Sequence, residues 1–184
     1  LVKELIGKEV PVLIDPTLLL SKKEWDNIAK PVDTPNEFIF FYTLFANPIM
    51  IKIVNKIAKK LKLPVLTPYV SNQYDVATRY IKVTDCGPEE FLSYLKNAKL
   101  IITSSFHESV FSIIYEKPFF AINGLDDMRI STLLTKTSLT GRSITLNEVE
   151  EKIKLYNKVD FSQAKEALEF EREKSMKFLL NALK

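Results

Sequence analysis

The residues with the clearest capacity for chemistry are the consecutive side chains Thr-Ser-Ser-Phe-His-Glu at positions 103–108. A strand-like apolar run precedes them and a helical pattern follows, so they occupy a turn from a strand into a helix. Free backbone N–H groups and the helix dipole make such a turn an anion-binding site. The hydroxyls of Ser104 and Ser105 would add donors. His107 is suited to proton transfer near neutral pH.

A plainer interpretation of the same residues is also open. Ser104 and Ser105 would then only cap the helix, since serine is common at that position. His107 would pack with a satisfied hydrogen bond. Glu108 is ordinary as an acidic residue in a first helical turn, where it would repel a bound phosphate. The spacing alone leaves both interpretations standing.

A second group of polar residues follows the predicted strand at 118–122. The paired carboxylates of Asp126 and Asp127 are compatible with a divalent cation, but a helix N-terminus rich in Asp explains them more simply. Arg129 and Arg142 have the fork geometry that grips a carboxylate or phosphate. Solvated arginines are equally common in such a chain.

Composition excludes several classes of protein. The four glycines are too scattered for a P-loop or a dinucleotide fingerprint. Because Cys86 is the one cysteine, an internal disulfide and zinc sites with two cysteines are excluded. The single histidine excludes an H-E-x-x-H zinc site, so no metal is predicted. A net charge of +3 without a basic tract gives no indication of nucleic-acid binding. No apolar stretch is long enough for a membrane span and no signal peptide is visible, so we expect a cytoplasmic protein.

Apolar runs alternate with helical patterns along the chain. Strands are predicted at 10–14, 37–44, 64–67, 80–83, 99–103 and 118–122. Short connections between strand and helix are typical of a parallel sheet with helices on both faces. Ligands bind such sheets at the carboxyl ends of the strands. That rule points to the turns after Val83 and Thr103.

Several motifs in this order resemble the polysaccharide pyruvyl transferase family. The resemblance covers about residues 13–142. The motifs that carry it are Asp15-Pro16-Thr17-x-Leu19-Leu20, Gly87-Pro88-Glu89-Glu90-Phe91-Leu92, Ser104-Ser105-Phe106-His107, Val110-Phe111-Ser112-Ile113-Ile114 and Arg129-Ile130.

The resemblance implies an architecture and an activity. Family members have two Rossmann-like domains that face each other in a GT-B-like arrangement, with the substrate cleft between them. They transfer a pyruvyl group from phosphoenolpyruvate to a sugar of a surface or secreted polysaccharide, usually as a cyclic ketal. Phosphoenolpyruvate is the donor substrate, the glycan is the acceptor, and no cofactor is expected.

The resemblance also implies a division of the chain, which begins with Leu1 and is interpreted as part of a longer protein. Residues 1–30 would be the end of the preceding domain and its connection. Residues 31–160 would be the Rossmann-like C-terminal domain, and 161–184 a long closing helix that reaches back toward the missing N-terminal domain. The predicted buried positions of this helix are Phe161, Leu168, Phe178, Leu179 and Leu183.

Site residues carry over position by position. His107 matches the family's histidine and is the predicted catalytic residue. Substrate-binding residues are predicted at Ser104, Ser105, Arg129 and the turn Gly87-Pro88. Glu108 stands where the family usually has glycine, and is counted among the substrate-binding positions. It implies an altered substrate, an acid with its own role, or lost activity.

Two other functions remain open. A GT-B-like glycosyltransferase using a nucleotide sugar would need an acidic or aromatic clamp for ribose and base, which the sequence does not display. A non-catalytic glycan-binding domain of the same fold is favoured by Glu108. The isolated domain is expected to be inactive in any case, because its cleft needs the other half.

Overall fold

A single parallel sheet organises the chain. The structure, a computed structural model, describes residues 2–68 and 79–183. The polar composition of residues 69–77 predicts a loop, and this segment lies outside the described residues. The strands are β1 (Ile39–Tyr42), β2 (Val65–Thr67), β3 (Tyr80–Lys82), β4 (Leu100–Thr103), β5 (Phe119–Ile122) and β6 (Ser143–Ile144). Their order is β3-β2-β1-β4-β5-β6, and every neighbouring pair is parallel. The predicted parallel Rossmann-like sheet is confirmed.

Helices cover both faces of the sheet, as predicted. The helices of the described residues are α1 (Val2–Ile6), α2 (Lys22–Asp26), α3 (Pro48–Leu61), α4 (Pro88–Asn97), α5 (Phe106–Ile114), α6 (Met128–Lys136), α7 (Val149–Lys152) and α8 (Ser162–Ala182). Residues 3–6 of α1 are exposed and join neither buried cluster. Helices α4, α5, α6 and the start of α8 share one buried cluster with Phe40 and Phe119, whereas α3 and α7 share the other with Phe41 and Phe120. Successive strand side chains point to opposite faces, which explains why each of β1 to β5 contributes to both clusters.

Two strand assignments from the sequence need correction. Residues 10–14 form no strand: the segment is extended, and the backbone N–H of Ile14 donates to Ser175 Oγ at 3.0 Å on α8. Pro11 has no N–H to donate to a sheet ladder. Conversely, β6 was not predicted, because two residues are too short to show an alternating pattern.

The N-terminal segment packs onto the sheet domain. A short 3-10 turn at Pro16–Leu18 holds Leu18 at 2% exposure. The Leu18 carbonyl accepts a bond of 2.9 Å from Arg172 Nε on α8, and the ring of Trp25 meets Phe111 edge-on at 4.9 Å. The division at residue 30 stays a prediction. In the structure the segment 12–25 packs against α5 and forms hydrogen bonds with α8.

The burial pattern predicted for the last helix is correct only at its beginning. Phe161 is buried and Leu168 packs against the core, but Phe178, Leu179 and Leu183 are 43%, 37% and 84% exposed. The buried residues within α8 are Ala164 and Ser175. The prediction failed because, of the residues of α8, only Ala164 and Leu168 join the buried clusters. None of the helices within 2–68 and 79–183 combines the length and apolar composition that crossing a bilayer requires.

Candidate functional site

The strand order reverses between β1 and β4, at the centre of the sheet. Tyr42 and Thr103 are the last paired residues of these strands, and the chain leaves them toward opposite faces. Such a junction opens a crevice at the carboxyl edge, where ligands bind in doubly wound sheets. Thr43 Oγ1 and Ser104 Oγ lie 2.7 Å apart there. Polar hydroxyls from two loops therefore meet at the junction.

The sequence pointed to the turn after β4 but missed Thr43. Finding Thr43 required the strand order, because the pair joins residues 61 positions apart. One local indication was present: Asn47 and Pro48 begin α3 directly after β1, with Asn47 Oδ1 accepting from the Met50 N–H at 2.9 Å. The other turn that the sequence pointed to, after Val83, follows β3, which is an edge strand of the sheet.

The turn into α5 is held by its own side chains. Thr103 Oγ1 accepts from the Ser105 N–H at 2.8 Å and donates to the Tyr42 carbonyl at 3.0 Å. Ser105 Oγ accepts from the Glu108 N–H at 3.4 Å. The capping interpretation is thus confirmed for Ser105, whereas the Ser104 hydroxyl is engaged with Thr43. The first N–H groups of a helix have no partner within it, so the turn keeps donors for an anion.

His107 lies at the surface and not in the core. Its side chain is 56% exposed, and Nε2 is 3.7 Å from Asp15 Oδ2. The ring meets the neighbouring Phe106 edge-on at 5.4 Å between centroids. The alternative of a packed core histidine is therefore wrong. In the sequence, Asp15 was notable only as part of the family resemblance, since nothing local indicates that it approaches a histidine.

Glu108, predicted as a substrate-binding position at the start of α5, is buried in the structure. Its side chain is fully buried, and neither carboxyl oxygen has a hydrogen-bond partner among the described residues. Burial raises the pKa of Glu108 well above the usual range, and the Thr103 hydroxyl lowers it only in part. The Thr103 proton is already donated to Tyr42. Because the neutral acid is favoured in the interior, Glu108 is neither a surface charge repelling phosphate nor a residue placed to touch substrate.

Arg129 lies at the start of α6, close to the β4–α5 turn. Its side chain is 68% exposed, and its guanidinium pairs with Asp127 at 3.2 Å and stands 5.5 Å from the ring centre of Phe106. Asp127 caps α6 by accepting from the N–H groups of Arg129 and Ile130 at 2.8 and 3.1 Å. The helix-start interpretation is confirmed for Asp127. Arg142, in contrast, is 8% exposed and donates to the Tyr156 carbonyl at 3.1 Å, a structural role.

Gly87 caps α4 and Pro88 is its first residue, and α4 packs beside α5: the ring of Phe91 meets Tyr42 at 5.3 Å and Phe111 at 6.5 Å, edge-on in both cases. Gly87 is the cap residue, and a Cβ there would stand 2.8 Å from Glu90 Oε2. Burial raises the pKa of the neighbouring Cys86 to about 11, so its thiol stays protonated at neutral pH. Although two strands separate β3 from β4 in the sheet, Cys86 and Phe91 pack in the same cluster as Tyr42 and Phe106. The role of the Gly87-Pro88 turn in substrate binding stays a prediction.

A cleft of about 400 Å³ adjoins the His107 turn. The N-terminal segment, α6 and α8 form its walls, with Asp15, Phe106 and Arg129 at its lining. The structure thus brings Ser104, Ser105, His107, Asp15 and Arg129 to one region of the carboxyl edge.

Replacing Asp127 by alanine tests the cap of α6. We expect the free energy of unfolding to fall by about 1 kcal/mol, because two helix N–H groups lose their acceptor. Asp126→Ala, at the exposed neighbouring carboxylate, should change it by less than about 0.5 kcal/mol. Urea denaturation of both variants measures the difference. Equal effects would contradict a specific cap.

Comparison with known proteins identifies a matching family and two similar structures. A family model described as polysaccharide pyruvyl transferase matches residues 2–126. No curated protein matches the sequence. The UDP-GlcNAc 2-epimerase of Methanocaldococcus jannaschii is similar in structure, with a TM-score of 0.53 at 14% identity over 77% of this chain and 44% of that one. Its complex with UDP-GlcNAc and UDP gives a TM-score of 0.51 at 12% identity, over 88% and 49%.

These structures support the predicted Rossmann-like, GT-B-like fold, and the chain spans less than half the length of either. At such low identity they show the fold alone. The family match is of another kind, because it covers well over half of the chain and includes the Asp15 segment, the His107 turn and β5. The chain belongs to the polysaccharide pyruvyl transferase family.

Proposed function

We propose that this chain is the C-terminal half of an enzyme that transfers a pyruvyl group from phosphoenolpyruvate to a sugar of a polysaccharide, forming a cyclic ketal. The observation that supports it is the family match over a segment whose histidine stands exposed beside the β1–β4 junction. The preceding N-terminal domain would close the cleft. We propose accordingly that the isolated chain is inactive.

The reaction requires proton movements at two carbon centres. A proton added to C3 of phosphoenolpyruvate converts the methylene to a methyl group and makes C2 electrophilic. One sugar hydroxyl bonds to C2, and a second displaces phosphate from the same carbon. Of the two hydroxyl protons released, one balances the proton given to C3 and the other leaves with phosphate.

His107 is the residue suited to this proton exchange. An imidazole can give a proton to C3 and take one from the attacking hydroxyl, so that it is regenerated in each turnover. Its 56% exposure leaves the ring accessible to a substrate bound at this edge of the sheet.

The anionic groups of phosphoenolpyruvate have complementary partners nearby. The N-terminus of α5, with the hydroxyls of Ser104 and Ser105, would hold the phosphate. The Arg129 guanidinium, which is largely exposed, would pair with the carboxylate. Glu108 takes no part in contact with either group, because its carboxyl is enclosed.

Ligand-dependent stabilisation of the full-length protein tests the proposal. Phosphoenolpyruvate at 100 times its Kd should stabilise the folded state by about 2.7 kcal/mol. UDP-GlcNAc, tested in parallel, should give no stabilisation, and inorganic phosphate should give less than phosphoenolpyruvate. Release of phosphate in the presence of a glycan acceptor, with ketal formation followed by NMR, then measures the transfer itself.

The same experiment separates the alternatives. Stabilisation by UDP-GlcNAc and not by phosphoenolpyruvate would replace the proposal with a nucleotide-sugar transferase. Stabilisation by glycan alone, without phosphate release, would indicate a binding domain.

A further inference from the structure

Asp15 has one carboxylate oxygen engaged within its own turn and the other directed at His107. Oδ1 accepts from the Thr17 N–H at 2.9 Å and from Thr17 Oγ1 at 2.5 Å. Oδ2 lies 3.7 Å from His107 Nε2. The Thr17 bonds fix the orientation of the carboxylate, so the approach of Oδ2 to the imidazole follows from the turn.

Three hydrogen bonds hold the turn that carries Asp15, one with α2 and two with α8. The Trp25 Nε1 donates to the Thr17 carbonyl at 3.0 Å, and Arg172 Nε on α8 donates to the Leu18 carbonyl at 2.9 Å. Just before Asp15, the Ile14 N–H is bound to Ser175 Oγ at 3.0 Å. Because these bonds hold positions 14, 17 and 18, the segment can place the Asp15 carboxylate reproducibly against a side chain of α5.

Other charged groups of the cleft are already paired. Arg129 pairs with Asp127 at 3.2 Å, and Lys136 pairs with Glu171 at 3.0 Å. Among residues 2–68 and 79–183, His107 is the basic side chain within ion-pair distance of Asp15. The negative charge of Asp15 therefore acts on the imidazole with little competition from these cations.

We infer that Asp15 is a positioning residue for His107: its free carboxylate oxygen takes the Nε2–H bond and leaves Nδ1 as the nitrogen that exchanges protons with substrate. This inference rests on the proposed function of His107. A carboxylate behind a histidine fixes its tautomer and stabilises the imidazolium formed during turnover. Distances of this kind are often long without substrate and shorten in the reacting complex.

The replacement Asp15→Asn in the full-length protein tests the role through kinetics. The asparagine oxygen can still accept from Thr17, so the fold should be retained. We expect kcat to fall about 10-fold, less than on loss of the imidazole itself, with the KM for phosphoenolpyruvate nearly unchanged. In a His107→Asn background the same replacement should have no further effect, since it acts through that side chain. Asp126→Asn, at an exposed carboxylate after β5, is the matched control.

A spectroscopic measurement tests the pair independently of turnover. The ring-nitrogen NMR signals of His107, assigned by their loss in His107→Asn, should shift in Asp15→Asn and stay in place in Asp126→Asn. Unchanged ring signals together with an unchanged kcat in folded Asp15→Asn would overturn the inference. If no pyruvyl transfer is found at all, the proposed function fails, and the ring signals still decide whether Asp15 and His107 interact.

A second replacement guards against a folding defect. Should Asp15→Asn fail to fold, Asp15→Glu keeps a carboxylate with one more methylene. We expect it to retain the His107 ring signals near their wild-type positions and to keep more activity than a variant without a carboxylate. Ring signals displaced as far as in Asp15→Ala would contradict the inference.

Discussion

Replacing His107 by asparagine in the full-length enzyme should lower pyruvyl transfer by at least about 10²-fold, with the fold retained. Loss of a residue that gives and takes a proton in the transition state typically costs about 10²–10⁴-fold in rate. This chain has one histidine, so within it no second imidazole can substitute. With the ring 56% exposed, its removal leaves little cavity. Initial rates of phosphate release and melting temperature, measured on the same preparation, test both parts.

The control is an exposed residue at the same edge. Leu125 follows β5 and is 51% exposed, so Leu125→Asn should leave both rate and melting temperature nearly unchanged. A stable His107→Asn enzyme with full activity would remove His107 from the mechanism. A large loss of melting temperature would instead indicate that the ring stabilises the turn into α5.

Replacing Glu108 by glutamine should stabilise the protein at pH 8 and have little effect at pH 4. Burial raises the pKa of Glu108 well above its ordinary value. The unfolded chain releases this proton near pH 4.5, the ordinary value, while the folded protein retains it. Stability from this group is therefore complete below that pH and is lost progressively as pH rises toward the folded value. Glutamine does not ionise, so we expect a gain of about 1–3 kcal/mol at pH 8.

Urea denaturation from pH 4 to 8 measures this dependence. The difference between Glu108→Gln and the parent should grow with pH. Glu166 on α8 is exposed, and Glu166→Gln should change stability by less than about 0.5 kcal/mol across the range. A Glu108→Gln protein that is less stable than its parent at pH 8 would show that the carboxylate is ionised in the fold and bound to a partner.

The strands of the fold were predictable where both faces are buried. Predicted runs overlap β1, β2, β4 and β5 because strands covered on both sides are almost continuously apolar. The run at 80–83 overlaps β3, although this edge strand is only half-buried. The run at 10–14 has a similar composition, but it packs along α8. Composition alone does not distinguish an apolar segment that pairs in a sheet from one that packs against a helix.

The candidate site was predictable only in its local part. The Ser105 cap and the exposed turn follow from a strand that runs directly into a helix. The Thr43–Ser104 and Asp15–His107 contacts depend on strand order and on the docking of the N-terminal segment, which local patterns do not encode. The burial of Glu108 escaped prediction because residues 108–113 of α5 are all buried, so the helix shows no polar face.

The position of the β1–β4 junction has a consequence for folding kinetics. Ile101 pairs with Phe119 across one short crossover, whereas Ile39 pairs with Leu100 across a loop that includes all of β2, β3 and α4. Loop-closure entropy grows with loop length, and non-local pairings slow folding. The β4–β5 unit should therefore form early and the central pairing late. The two halves of the binding edge would then meet near the end of folding, after each has formed within its own part of the sheet.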